Sequence, residues 1–272
     1  MIRHGVTDDE WNAIRNFLPA VRNGRRGRPW SNHRQVISGI FWILATGAPW
    51  RDLPEKFGNW STVYKRFRLW CISGLWERIW NKVVNHLRRN EQLGFWLWSV
   101  DGSIVRAHQA SVGGSTKMSK SVGENALGRS RGGYSCKLHI VCEDNGIPIG
   151  VMVTPGQINE PTVFLSLMET IPFSLRLKAN RPDGLAGDKA YIAGYIFSWL
   201  EQKEIQNVIP NRKNENMNPK FCKDTYRHRN IVERLIGRLK QLRRLATRYE
   251  KTIESYLGMI YLAFLRIIKK TI

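Results

Sequence analysis

The hydrophobic periodicity of this chain changes at Gly94, and this change constrains the fold more than any other feature of the sequence. Before Gly94, apolar residues recur at helical spacing; after it, short alternating or continuous apolar runs predict strands. Helical patterns return between and after these strands, which predicts a mixed α/β sheet with helices on both sides. We therefore predict two domains, an all-helical one over residues 1–92 and an α/β one over residues 93–272.

The composition excludes a disordered chain and a membrane-spanning chain. Apolar residues make up 42% of the 272 residues, which is enough for a packed core. The longest apolar runs, such as residues 37–45, are much shorter than the ~20 residues of a membrane span. The first residues show no apolar signal segment, and the four cysteines form no C-x-x-C pair. We expect a cytoplasmic protein with reduced thiols and no membrane partner.

The formal net charge of +21 indicates a nucleic-acid partner. The charge is unevenly distributed: residues 1–94 carry +9, residues 95–210 carry +1, and residues 211–272 carry +11. A nearly neutral centre between two basic flanks is typical of a catalytic core held between DNA-gripping segments. A uniformly basic RNA-binding protein fits this distribution less well.

Two features of the helical part are candidates for DNA contact. Arg26-Gly-Arg28-Pro29 is similar to extended segments that enter the minor groove, although a solvated linker has the same composition. A buried helix over residues 32–46 is followed by one that starts at a Ser61 N-cap and ends near Ser73. This predicts a helix-turn-helix unit, with a plain helical bundle as the alternative. The basic residues of its second helix are Lys65, Arg66 and Arg68.

The second part alternates strands and helices. A strand over residues 95–101 and a hairpin of residues 134–142 and 147–154 come first, and residues 111–133 between them read as a long loop. Two short strands, 184–188 and 205–209, lie among the helices 160–170, 194–203, 224–248 and 253–269.

Three acidic residues occupy positions that suit catalysis. Asp101 and Asp188 each end a predicted strand, where ligands commonly bind in α/β sheets, although a capping aspartate looks the same. On the predicted helix 224–248, Glu233 is centred in a polar row opposite the apolar stripe. An ordinary i,i+4 pair with Arg229 accounts for part of that row. The other members of the row are Tyr226, Lys240 and Arg244.

Three converging carboxylates suit two Mg²⁺ ions, because hard cations prefer oxygen ligands. Two such ions clamp the attacking and leaving oxygens of a phosphodiester displacement, and nearby cations hold the DNA backbone. From the residues alone, the chain is predicted to be a metal-dependent nuclease or a polynucleotidyl transferase.

Motifs spread in order along nearly the whole chain closely resemble those of bacterial insertion-sequence transposases of the insertion-sequence-five family. Ile192 departs from the pattern, since many relatives carry an acidic residue there. The motifs are Arg28–Trp30 (RPW), Gly47–Pro54 (GAPWRDLP), Trp60–Phe67 (WSTVYKRF), Val100–Ser103 (VDGS), Arg129–Gly133 (RSRGG), Thr154–Gln157 (TPGQ), Gly187–Tyr191 (GDKAY) and Arg229–Lys240 (RNIVERLIGRLK).

The resemblance implies a ribonuclease H-like catalytic domain whose D-D-E triad is Asp101, Asp188 and Glu233. The triad would bind two Mg²⁺ ions, with Mn²⁺ able to substitute, to cleave transposon ends and join them to target DNA. It also implies binding to terminal inverted repeats, a homodimer or larger synaptic complex, and a nucleoid-associated location. The tyrosine-arginine-glutamate-lysine pattern of such enzymes matches Tyr226, Arg229, Glu233 and Lys240.

Further DNA contacts are expected around this centre, at Lys189 and along the 111–133 segment. The composition of that segment fits a mobile solvated loop equally well. Gln157 and Asn159 are weaker candidates for lining the site. The alternative functions are a non-catalytic DNA-binding regulator and a nuclease that cuts without joining. The basic residues predicted to contact DNA in the segment are Lys117, Lys120, Arg129 and Arg131.

Overall fold

The N-terminal part is helical in the computed structural model, which describes residues 4–19, 32–112, 125–130, 132–211 and 221–268. The first helix begins at a capping box in which Thr7 and Glu10 each accept a hydrogen bond from the other's backbone N–H. Gly47 ends α2 at a φ of +70°, which glycine adopts without strain. The helices here are α1 (Asp8–Ile14), α2 (His33–Thr46), α3 (Trp60–Ile72) and α4 (Leu75–Arg89).

The sheet has a mixed topology. Its strands are β1 (Leu97–Ala107), β2 (Gly128–Ser130), β3 (Gly133–Cys142), β4 (Pro148–Pro155), β5 (Gly184–Ala186), β6 (Gln206–Val208) and β7 (Thr247–Arg248). The five main strands lie in the order β4-β3-β1-β5-β6, with β3 antiparallel to β1 and β4, and β5 and β6 parallel to β1. This is the strand order of the ribonuclease H-like fold, as expected.

Helices of the second part pack on this sheet and on the N-terminal helices. α5 contacts β3 and β4, α6 contacts β6, and α8 contacts β1 and β3, while α10 packs against α3 and α4. Apolar residues of both parts therefore belong to one core, in which Trp70, Trp76 and Trp80 are buried. No helix in the described ranges is long and apolar enough to cross a bilayer. The helices are α5 (Phe164–Glu169), α6 (Gly194–Gln202), α7 (Lys223–Arg227), α8 (Asn230–Lys240), α9 (Arg243–Ala246) and α10 (Ile253–Ile268).

The single helix predicted over residues 224–248 is wrong. The chain forms α7, α8 and α9 in succession, followed by β7. Leu242 takes an extended conformation (φ −81°, ψ 106°), so α9 does not continue α8, and α9 packs against α2. A tertiary contact therefore interrupts a helical pattern that is continuous in the sequence.

Three smaller boundaries also differ from the predictions. β1 continues past Asp101 to Ala107, because β3 pairs with it as far as Arg106 and β7 pairs with Arg106 and Ala107. α3 is capped by Asn59, not Ser61, since the Asn59 side chain accepts a hydrogen bond from Ser61 N at 2.9 Å. β2 lies inside the segment predicted to be a loop, of which residues 113–124 and 131 are outside the described ranges.

Candidate active site

The strand register places two of the predicted acids side by side. Ser99 of β1 is paired with Ala186 of β5 in parallel, and two residues further along the same register are Asp101 and Asp188. Asp101 remains within β1, whereas Asp188 follows β5 and accepts a hydrogen bond from Ala190 N at 2.9 Å. That bond caps a short 3₁₀ turn and orients the Asp188 carboxylate.

α8 supplies the third acid and a cation that links it to the first. Arg229, at the N-cap of α8, has its Nη1 atom 4.0 Å from Asp101 Oδ1, and its Nη2 atom donates a hydrogen bond to Glu233 Oε1. The Arg229 side chain is only 14% exposed, whereas that of Glu233 is 51% exposed. One guanidinium therefore bridges an acid on the sheet and an acid on the helix.

Burial disfavours the ionised form of Asp101. Burial raises the pKa of Asp101 from its ordinary 3.8 to about 6, and the nearby charges of Asp188 and Glu233 raise it as well. Arg229 and the Gly102 N–H act in the opposite direction without cancelling the rise. Burial also lowers the pKa of Arg229, but Tyr226, Glu233 and Asp101 together raise it above its usual value. The site thus carries negative charge that Arg229 compensates only in part.

The donor atoms suit a divalent cation, since carboxylate oxygens are the ligands that Mg²⁺ and Mn²⁺ prefer. Among the described residues, however, no three His, Cys, Asp or Glu side chains are grouped closely enough to hold a metal ion. Arg229 contacts both Asp101 and Glu233. The three acids therefore match a metal site in chemistry but do not form a closed ligand set in this conformation.

Two further members of the predicted polar row, Tyr226 and Lys240, also reach the sheet. The ring of Tyr226 lies 5.5 Å below the Arg229 guanidinium and packs against the small apolar cluster of Leu97, Ala186 and Val208. Lys240, at the other end of α8, donates a hydrogen bond from Nζ to Ile104 O at 3.1 Å. These contacts hold the polar face of α8 over β1.

The other predicted DNA contacts have different surroundings. Lys65 on α3, Lys189 beside Asp188 and Arg129 on β2 are exposed, and Arg68 is half-buried. Within the described residues, none of these four side chains forms an ion pair or a hydrogen bond with the three acids. Five predicted residues lie outside the described ranges: Arg26, Arg28, Lys117, Lys120 and Arg131.

Two predictions of DNA contact are wrong because the side chains are buried. Arg66 is 8% exposed and contacts His33 Nδ1 at 3.1 Å, with its guanidinium over the Trp70 ring. Arg244 is 5% exposed, and its Nε atom donates to Glu250 Oε1 at 2.6 Å. Both arginines are part of the packed framework and are not presented to DNA.

Sequence reasoning missed a carboxylate beside Asp101. Glu160 lies against Gly102, close enough that a Cβ on residue 102 would be 2.9 Å from Glu160 Cγ. Gln157, a weak candidate in the sequence, instead packs over Gly128 of β2. The glycine directly after Asp101 was the available signal, because it leaves room for a side chain to approach the strand.

Comparison with known families decides what kind of protein carries this site. A family model described as "Transposase DDE domain" matches residues 96–268, and one described as "Putative transposase of IS4/5 family" matches residues 6–80. The chain belongs to the DDE transposases of insertion sequences. This transposase is therefore a DNA-cleaving and DNA-transferring enzyme, and DDE domains generally use divalent metal ions.

Individual relatives of the transposase cover parts of the chain. The uncharacterized protein y4sN of Sinorhizobium fredii is 37% identical over 40% of this chain and 82% of its own length. A 16.2 kDa protein of insertion element IS402 from Burkholderia cepacia is 35% identical over 38% of this chain and 74% of its own. A putative transposase for IS6501 from Brucella ovis is 28% identical over 47% of this chain and 92% of its own.

Proposed function

We propose that Asp101, Asp188 and Glu233 are the catalytic carboxylates of the transposase and that they hold two Mg²⁺ ions, which Mn²⁺ can replace. The observation that carries the proposal is the β1–β5 register, which sets Asp101 beside Asp188 while Arg229 ties Glu233 to Asp101. The raised pKa of Asp101 supports it, because a buried and partly uncompensated carboxylate is suited to a cation. Bound divalent cations stabilise the attacking and leaving oxygens of a phosphodiester displacement.

The cations of α8 have a defined part in this proposal. Arg229 partly neutralises the acids in the DNA-free protein and binds a DNA phosphate near the scissile bond in the complex. Lys240 is held over β1 and binds a second phosphate, and Tyr226 supports Arg229 from below. Arg229 precedes α8 and Lys240 ends it, so the two cations bind phosphates at opposite ends of this helix.

The remaining basic residues bind DNA outside the centre. Lys65 and Arg68 of α3 contact the terminal inverted repeat, while Lys189 and Arg129 contact DNA next to the acids. Cleaving two transposon ends together and joining both to one target requires two active sites. The transposase therefore acts as a homodimer or a larger synaptic complex.

A joining assay tests the proposal. The protein is incubated with its element's terminal repeats, a target plasmid and Mg²⁺ or Mn²⁺. We expect Asp101→Asn, Asp188→Asn and Glu233→Gln to reduce joining by roughly 10³-fold or more, because the carboxylate–metal contacts supply several kcal/mol in the transition state. End binding should remain in all three variants.

Asp183→Asn is the matched control, since Asp183 is an exposed aspartate just before β5; it should join at the wild-type rate. Cleavage without joining by the wild-type protein would indicate a nuclease, and binding alone a regulator. If Asp101→Asn joins normally, the assignment of the triad is wrong.

A further inference from the structure

A nearly buried ion pair lies beside the proposed centre and has no part in the proposal above. Lys137 of β3 donates from Nζ to Glu160 Oε1 at 2.8 Å, and the two side chains are only 9% and 21% exposed. Glu160 ends the segment that follows β4, and the TPGQ motif of residues 154–157 lies across the end of that strand. Burying such a pair is favourable only if the two charges compensate each other closely.

Glu160 packs directly on the residue after Asp101. A Cβ on residue 102 would lie 3.0 Å from Glu160 Oε1 and 2.9 Å from its Cγ, so only glycine leaves the carboxylate room. Lys137 lies on the neighbouring strand β3, where it is paired with Ile104, two residues after Gly102 in β1. The ion pair therefore spans the stretch of β1 that begins at Asp101.

The neighbouring groups show that the pair and the acids share one electrostatic environment. Tyr191 is fully buried, and after burial itself the charges that raise its pKa are those of Asp101, Glu160 and Asp188. His139 contacts Thr154 Oγ1 at 2.8 Å, and burial together with Lys137 lowers its pKa to about 4, so it is neutral at neutral pH. Glu160 therefore balances the charge of Lys137, and the neutral histidine adds no further positive charge.

Glu160 itself is ionised in this setting. Burial acts to raise the pKa of Glu160, but the hydrogen bond and charge of Lys137 lower it below its usual value. The pair contributes no net charge to the centre as long as both members are present.

We infer that Glu160 is a positioning residue of the metal-binding centre, which neutralises Lys137 and holds the Gly102 segment of β1 so that Asp101 can receive a divalent cation. The inference rests on the proposed function, since it needs a cation at Asp101. Removal of Glu160 leaves an uncompensated ammonium group on β3, next to the strand that carries Asp101. This positive charge opposes the binding of Mg²⁺ or Mn²⁺. Removal of both charges restores the electrostatic balance.

The test is a titration of the full-length, DNA-free protein with Mn²⁺, followed by calorimetry at neutral pH. We expect Glu160→Gln to weaken Mn²⁺ binding about 10- to 100-fold, in the range seen when groups behind metal ligands are lost. The double variant Lys137→Met, Glu160→Gln should bind Mn²⁺ within about threefold of the wild-type protein. Its paired charges are replaced by neutral side chains, which also protects it against misfolding.

Glu204→Gln is the matched control, because Glu204 forms exposed ion pairs with Lys178 and Arg181; its Mn²⁺ affinity should equal that of the wild-type protein. If wild-type protein binds Mn²⁺ and Glu160→Gln binds it equally well, the role of Glu160 is overturned while the proposed metal centre stands. If Mn²⁺ binding is weakened equally in the single and the double variant, and both melt at a lower temperature, the ion pair is only structural and the inference is wrong. If the wild-type protein binds no Mn²⁺, both the metal centre and the role of Glu160 fail.

Discussion

Two arginines of the C-terminal region occupy opposite kinds of surroundings, although the helical pattern placed them in one polar row. Arg229 lies at the start of α8 beside Asp101 and Glu233. Arg244 lies in α9, where it donates to Glu250 and also to the carbonyl oxygens of Gly47 and Ala48 at 3.4 and 3.0 Å. The first arginine is at a site, and the second joins the C-terminal region to the loop after α2.

The exposure of the acidic partners separates the two roles. Glu233 is half exposed, so solvent or a cation can take the place of Arg229 at this carboxylate, and a DNA phosphate can take the place of Glu233 on Arg229. Glu250 is buried together with Arg244, and nothing from solvent can replace either member. A buried arginine is therefore a candidate for a functional role only when the carboxylate that pairs with it is accessible to solvent.

The largest expected effect is on stability at Arg244. Arg244→Met should lower the free energy of unfolding by about 3–5 kcal/mol, because it leaves the Glu250 carboxylate buried without its partner. Arg229→Met should lower it by less, since the exposed Glu233 can be solvated and Asp101, whose pKa is already raised to about 6, can take up a proton. Denaturant unfolding of both variants measures the difference, and equal losses would contradict the comparison.

The next effect is a dependence of folding stability on pH, caused by Asp101. The folded-state pKa of Asp101 is raised to about 6, so stability is lost as the pH rises from about 4 to 6 and the carboxylate ionises. Asp101→Asn removes this loss. In metal-free buffer the variant should therefore gain stability relative to wild-type protein between pH 4 and pH 7, by up to about 3 kcal/mol.

Denaturant unfolding in the presence of a chelator, repeated across this pH range, measures the gain. A difference that shrinks as the pH rises would show that the ionised form of Asp101 is stabilised by its surroundings, contrary to the charge balance described for the site.

The smallest effect concerns the same contrast on α3, where exposed Lys65 is next to buried Arg66. Lys65→Ala should reduce the slope of log affinity against log salt for terminal-repeat DNA by about 0.9, the value for one phosphate contact. Arg66→Met should leave that slope unchanged and lower stability instead, since it removes the contacts to His33 and Trp70. Anisotropy titrations at several salt concentrations distinguish the two variants; a changed slope in Arg66→Met would reverse the assignment.

Signals that act over a few residues can be read from the sequence without knowledge of the fold. The Thr7–Glu10 capping box starts α1, Gly47 ends α2, and the turn at residues 143–146 joins β3 to β4 as a hairpin, with Gly146 N donating to Glu143 O at 2.9 Å. In each case the side chains or the glycine that make the structure are adjacent in sequence. Such features depend little on the rest of the fold.

The errors have two different causes. Arg66 could have been recognised as buried, because it is three residues from Val63 and four from Trp70 on the apolar face of α3. The break between α8 and α9 could not, because the apolar spacing continues through Leu239 and Leu242. That break depends on the packing of α9 against α2, which joins residues far apart in the chain.

The amino-acid sequence specifies which chemical groups this transposase has available: one acid within a strand, one just after a strand, one on a helix face, and cations around them. Only the tertiary structure shows which cation reaches the candidate site and which are paired with other acids. Arg229 reaches Asp101, Arg244 is buried against Glu250, and Lys137 is neutralised by Glu160. These pairings depend on strand register and on the packing of helices against the sheet, and contacts between distant segments set both.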